Sequence, residues 1–137
     1  MYVGGCLCDA VRFEIDGPIH NIVYCHCSQC RKAQGSAFAT NGIVKAGDFR
    51  IVAGADLLTG YESSPGQNKY FCSICGSPIL SKSAARPEQV RVRLGTIESD
   101  IKERPMAHIF VTSKADWERI TDDLPQYEER EPGRDVL

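Results

Sequence analysis

Cys25-His26-Cys27-Ser28-Gln29-Cys30 places three thiols within six residues of chain. One backbone turn can aim all three at a single ion, and a soft, four-coordinate metal such as zinc then needs one more ligand. Two further pairs flank this stretch, Cys6-Leu7-Cys8 upstream and Cys72-Ser73-Ile74-Cys75 downstream, and together they account for all seven cysteines. By ligand logic, Cys6/Cys8 and Cys72/Cys75 form a set of four that closes a structural site. Cys25, Cys27 and Cys30 form a set of three that leaves one position open for chemistry. Spacing alone also allows a second grouping, with the Cys72/Cys75 hook joined to two central cysteines and Cys6 and Cys8 spare.

The rest of the composition supports metal over disulfides. The cysteine count is odd, and Met1-Tyr2-Val3-Gly4-Gly5 has neither the basic start nor the apolar stretch of a secretory signal. A reducing, cytoplasmic location is the expectation, and in it a disulfide framework has no place. A redox dithiol at Cys72/Cys75 lacks a thioredoxin-type strand-to-helix setting, while an iron–sulfur cluster is compatible with the spacing. The formal charge of −2 gives no reason to expect nucleic acid or an anionic membrane as partner, and no apolar run is long enough to span a bilayer. A chain of 137 residues with 42% hydrophobic residues can bury a core of its own. The expected organisation is a single zinc-binding domain over residues 1–125 and a loosely ordered tail over 126–137, where Glu, Arg, Pro and Gly dominate.

Short strands are the prevailing local pattern. Val11 to Ile15 and Gln89 to Leu94 alternate apolar and polar residues, and the arginines of the second run are read as a solvated face. Asn21 to Tyr24, Ala37 to Val44, Phe49 to Val52, Leu57 to Tyr61 and Ala107 to Val111 read as further strands. Gln29 to Gln34 predicts a short helix stopped by Gly35, and Ser63 to Asn68 predicts a loop. Ser113-Lys114-Ala115-Asp116 has the form of a helix start, with Trp117 and Ile120 at helical spacing as core residues. In the knuckle Cys72-Ser73-Ile74-Cys75-Gly76, glycine allows the left-handed turn from which backbone amides can donate to thiolate sulfur.

Gly5-Cys6-Leu7-Cys8, Cys25-His26-Cys27-Ser28-Gln29-Cys30-Arg31-Lys32, Gly35-Ser36 and Phe71-Cys72-Ser73-Ile74-Cys75-Gly76-Ser77 occur in this order. The set resembles the glutathione-dependent formaldehyde-activating family, also called the centromere protein V/formaldehyde-activating domain. His108 to Lys114 with Trp117 is similar to the C-terminal pattern of that family, so the likeness spans about residues 4–125. The resemblance implies a mainly β, Mss4-like fold of twisted antiparallel sheets with short helices, stapled by zinc. It also implies two zinc ions per chain, one structural and one catalytic, with the grouping of cysteines given above. The implied activity joins glutathione to formaldehyde as S-hydroxymethylglutathione, a carbon–sulfur lyase reaction in reverse. Asp9 departs from the family, which commonly has glycine after the first hook.

Ligand chemistry agrees with that activity. Three thiolates on zinc leave a unit of net charge −1 whose natural fourth ligand is another thiol, and such a thiol is deprotonated on binding. A thiolate so generated can attack an aldehyde carbon to give a hemithioacetal. His26, between two ligands, points away from the ion on this reading. Arg31 and Lys32 are candidates for holding a glutathione carboxylate or for a solvated pair. His108 is a candidate acid/base group or a satisfied strand histidine. The contrasting class is a zinc-stapled binding module without catalytic activity.

Overall fold

A computed structural model describes residues 1–135. In chain order the strands are β1 (Tyr2–Gly5), β2 (Arg12–Ile15), β3 (His20–Cys25), β4 (Ala39–Lys45), β5 (Phe49–Ala53), β6 (Leu58–Ser64), β7 (Gln67–Cys72), β8 (Pro78–Ser83), β9 (Gln89–Arg93) and β10 (Ala107–Ile109). One short α-helix, α1 (Ser28–Gln34), interrupts them. The chain is therefore mainly β, as expected. A three-stranded sheet runs β1-β2-β5, and a seven-stranded sheet runs β10-β3-β4-β9-β8-β7-β6. Every pairing is antiparallel except β10 on β3, which is parallel.

The alternation of β2 is realised directly. Phe13 and Ile15 turn inward and are almost fully buried, while Arg12 and Glu14 are half-exposed. They meet Val44, Ile79, Val90 and Val92 of the large sheet in one apolar cluster, which also takes in Cys6 and Cys72. A second cluster beside it consists of Val23, Cys25, Cys30, Ala39, Ala107 and Ile109. Each candidate thiol set is thus rooted in its own part of the core. No helix among the described residues is long and apolar enough to cross a membrane.

Several expectations need correction. The loop expected over 63–68 is mostly strand, because β6 and β7 form a hairpin whose turn is reduced to Pro65-Gly66, with Gly66 at φ 76°. No helix follows Ser113 among the described residues. Phe110 takes a left-handed φ of 52° and Val111–Ser113 forms a single 3-10 turn, after which Lys114 is extended. Trp117 is consequently 69% exposed and contributes nothing to the core. The arginines of β9 are not a solvated face: Arg93 is buried and Arg91 half-buried, because β9 lies inside the sheet between β4 and β8.

The segment after Pro125 is also better held than its composition suggests. His108 and Gln126 form a parallel bridge, the Tyr127 N–H donates to the His108 carbonyl, and the Phe110 N–H donates to the Glu129 carbonyl. Glu131 and Arg134 are buried against each other, with Arg134 Nη2 2.6 Å from Glu131 Oε1. Residues 126–135 thus form a strap that runs beside β10 over 126–129 and is held beyond it by contacts to Asn21, Gln89 and Arg86. Val136 and Leu137, the end of the expected tail, lie outside the described residues.

Candidate functional site

The four-thiol set forms where two turns meet. Cys6 follows β1, Cys72 ends β7, and the sulfurs of Cys6, Cys8, Cys72 and Cys75 all lie within 4.8 Å of one another. Cys6 and Cys8 sulfurs are 3.5 Å apart, and Cys8 and Cys72 sulfurs 3.8 Å. The Val11 N–H donates to Cys6 Sγ at 3.2 Å and the Ile74 N–H to Cys72 Sγ at 3.4 Å. Ser77 ties the hooks together: its Oγ accepts from the Leu7 N–H at 2.9 Å and lies 3.2 Å from Cys75 Sγ. The Ser77 hydroxyl pushes the Cys75 thiol down to about 5, which favours the thiolate that a metal takes.

Both turns use left-handed backbone. Gly76 has φ 78°, the conformation that glycine adopts without a Cβ clash. Asp9 has φ 64° at the position where the resembling family commonly has glycine, so the turn survives the substitution. Aspartate is among the few other residues that visit this region readily.

The three-thiol set forms at the junction of β3 and α1. Cys25 ends β3 opposite Ala39 on one side and Ile109 on the other. Cys27 caps α1, its sulfur accepting from the Cys30 N–H at 3.3 Å, and Gly35 closes the helix at φ 61°. The three sulfurs lie within 4.8 Å of one another. Cys25 and Cys30 are buried and Cys27 is half-exposed. Hydrogen bonding from Cys25 and then Cys30 holds the Cys27 thiol well below the usual thiol range, whereas the same contact raises Cys25. A half-exposed sulfur backed by two buried ones is a donor set suited to a soft cation. The all-sulfur composition of both sets therefore fits zinc, and the alternative grouping is not the one the fold assembles.

A cavity of about 160 Å³ opens against this set, with Cys25, Cys27 and Cys30 in its wall. Arg31 and Lys32 do not line it. Lys69, Arg91, Arg93, Arg130 and Arg134 do. Arg93 is 3% exposed, donates from Nη1 to Ser81 Oγ at 3.3 Å, and leaves Nε buried without a partner. Burial pushes it down, and the thiols of Cys30, Cys25 and Cys27 pull it back up. Arg91 is pushed down to about 10, first by burial and then by the surrounding arginines Arg134, Arg130, Arg86 and Arg93. Sequence reasoning missed these cations. The sequence carried no signal for them, since Val90-Arg91-Val92-Arg93 alternates in the way a strand with one solvated face does.

His26 and His108 sit beside the site rather than in it. His26 is fully buried, its Nε2 is 2.8 Å from His108 Nδ1, and His108 Nε2 is 2.9 Å from Asp122 Oδ2. Neither histidine belongs to a thiol set or to the wall of the arginine-lined cavity. Asp122 carried no signal in the sequence, since it lies in a polar stretch far from any motif.

Comparison with known proteins bears on the family of the chain. The profile of the family described as "Glutathione-dependent formaldehyde-activating enzyme" matches residues 1–113. A Halomonas elongata protein named "Putative glutathione-dependent formaldehyde-activating enzyme" is 32% identical over 126 residues, covering 85% of this chain and 79% of its own. An Aspergillus flavus protein of the same name is 29% identical over 79 residues, where this chain spans 41% of the longer fungal protein. In three dimensions the chain is similar to a Rhodobacter sphaeroides protein of known crystal structure, with TM-score 0.59 and 29% identity over 73% of this chain and 91% of that one. With the family profile matched over most of its length, and a bacterial relative matched over most of both chains, this chain belongs to the glutathione-dependent formaldehyde-activating enzyme family.

Proposed function

We propose that the chain is a cytoplasmic zinc enzyme that joins a thiol, glutathione in the first instance, to an aldehyde such as formaldehyde. The product is a hemithioacetal, so the class is carbon–sulfur lyase acting in the direction of addition. Cys6, Cys8, Cys72 and Cys75 are the structural ligands, and Cys25, Cys27 and Cys30 the catalytic ones. The observation that carries this reading is the unequal division of thiols: four close on themselves, while three share a wall with a cavity and find no fourth ligand among the described residues.

Cys25, Cys27 and Cys30 would hold the zinc, which when bound would supply the Lewis acidity that keeps a further thiol as its anion at neutral pH. The protein's own residues do the rest. Buried Cys25 and Cys30 fix the geometry, and half-exposed Cys27 faces the incoming substrate. Arg93 provides a buried positive charge close to a net-negative trithiolate unit. In the reaction a carbon–sulfur bond forms at the carbonyl carbon, the carbonyl π pair moves to oxygen, and that oxygen takes up a proton. The proton balances the one lost by the thiol, so no oxidant or reductant is needed. Bringing two small reactants together in one walled cavity is itself a large part of the acceleration.

The test is an assay of zinc-loaded protein with a panel of thiols and aldehydes. Formaldehyde should disappear faster than with thiol alone, and Cys27→Ser should remove the difference. Protein that holds its metal yet accelerates none of the combinations would be a binding module instead.

A further inference from the structure

The cavity beside the three thiols carries more positive charge than those thiols account for. Of its five cationic residues, Arg134 is neutralised locally: Nε and Nη2 both reach Glu131 Oε1, at 3.1 and 2.6 Å. Lys69, Arg91, Arg93 and Arg130 have no carboxylate partner among the described residues. A zinc trithiolate of net −1 offsets one of them. The remainder converge on one cavity in a chain whose formal charge is −2 overall. Like charges gathered in a partly buried space cost stability unless an anion joins them. The buried, unpartnered Nε of Arg93 shows that hydrogen-bonding capacity remains unused at the cavity wall.

We infer that Arg91 and Arg130 hold the carboxylates of the thiol substrate, so that the enzyme selects thiols bearing two carboxylates over neutral ones. The inference rests on the thiol–aldehyde reading for the identity of the reacting group, and on the cavity alone for the charge. It gives the strap of residues 126–135 a role in recognition. That strap lies outside the residues matched by the family profile, which end at 113. The strap is fixed for the purpose. Asn21 Nδ2 donates to Glu131 Oε2 at 2.9 Å, Gln89 Nε2 donates to the Arg134 carbonyl, and Arg86 pairs with Asp135 at 2.5 Å. The buried Glu131–Arg134 pair anchors the strap against the cavity, and Arg130, one residue earlier, stays exposed at its mouth. Arg91 approaches from β9 on the sheet side. Two forks from different elements suit two separated carboxylates better than one.

Two measurements test this independently of each other. The first is calorimetric binding of S-methylglutathione to zinc-loaded protein, since this analogue keeps both carboxylates but has no free thiol. Binding that weakens about tenfold or more in Arg91→Gln and in Arg130→Gln, and weakens with salt, is the expected result. Arg130 is exposed, so its variant keeps the fold even if that of Arg91 does not. The second is the ratio of kcat/KM for glutathione to that for 2-mercaptoethanol, which should fall about tenfold in either variant. Analogue binding that is absent, or unchanged by both substitutions, overturns the inference, as does turnover with an unchanged ratio; in the latter case the thiol–aldehyde reading survives. Arginine-dependent analogue binding without turnover of any thiol supports the carboxylate subsite and removes the reaction instead.

Discussion

His26 Nε2 and His108 Nδ1 lie 2.8 Å apart in the interior, one residue from two of the candidate ligands. The direction of this bond follows from its far end. The Asp122 carboxylate accepts from His108 Nε2, so with His108 a neutral imidazole its Nδ1 accepts and His26 Nε2 donates. His26 Nδ1 is then a bare acceptor, and it is buried without a partner. Burial, above all, lowers His26 from the ordinary histidine value. The His26 N–H also donates to the Ile109 carbonyl at 3.0 Å. Ring and backbone together fasten the cysteine hook to β10.

Replacing His108 by leucine should therefore leave a buried N–H of His26 without an acceptor. The expected loss is about 1–3 kcal/mol, read from urea denaturation of metal-loaded protein. Asp122→Asn should cost less, because the amide oxygen can accept the same bond and the side chain is 44% exposed. Equal losses for the two variants would mean that charge, not hydrogen-bond direction, holds the pair.

The first hook offers a test of backbone conformation. Asp9 sits at φ 64° and pairs with Arg12 at 3.1 Å on the surface. Asp9→Gly removes the left-handed cost, loses a weak exposed ion pair and loosens the unfolded chain, so the effects offset within about 1 kcal/mol. Asp9→Val keeps no compensation and should destabilise by about 1–2 kcal/mol, since β-branched residues resist this region. Thermal denaturation of both variants distinguishes a backbone requirement from a charge requirement.

What the sequence disclosed and what it concealed have physical reasons. Thiol spacing is a short-range property, so the hooks were legible, and the two sets assembled by the fold are those that ligand counting favours. Phe13 and Ile15 alternate against solvent and were legible for the same reason. β8 was not, because it opens on Pro78 and ends Ser81-Lys82-Ser83, so its burial comes from neighbours on either side rather than from its own composition. The arginines of β9 read as solvated because alternation reports only that two faces differ, and a cavity and bulk water both accept charge. Tyr127 and Glu129 are held by backbone bonds to His108, Phe110 and Val111, which leave no mark on residue choice, and Glu131 and Asp135 by side-chain contacts to Asn21 and Arg86, whose partners lie far apart in sequence.

Metal content follows from the division of thiols. Protein purified with zinc under reducing conditions should carry two ions per chain by elemental analysis, and Cys27→Ser should carry close to one. Cys72 is fully buried in the main core cluster, whereas Cys27 is half-exposed beside a cavity. Cys72→Ser, or exhaustive chelation, should therefore abolish the cooperative melting transition, because structural zinc in small domains contributes on the order of 10–16 kcal/mol. Cys27→Ser should still melt cooperatively. A greater loss of stability from Cys27→Ser than from Cys72→Ser would reverse the roles assigned to the two sets.

The open position can be observed directly. With zinc in both sets, the sulfur count averaged over a set of four and a set of three is about 3.5 before substrate is added. A thiol that takes the open position raises that average toward four, with zinc–sulfur distances near ~2.3 Å at the zinc absorption edge. A free thiol with a pKa near ~8.5 is mostly protonated at pH 7, so its capture as thiolate must release a proton. Titration with glutathione in buffers of different ionisation enthalpy should reveal about one proton per site. The same titration in Cys27→Ser should release far less, since the ion is weakly held or absent. An average that already stands at four before any thiol is added, with no proton released, would mean that the three-cysteine set has found its own fourth sulfur and has no place for a substrate.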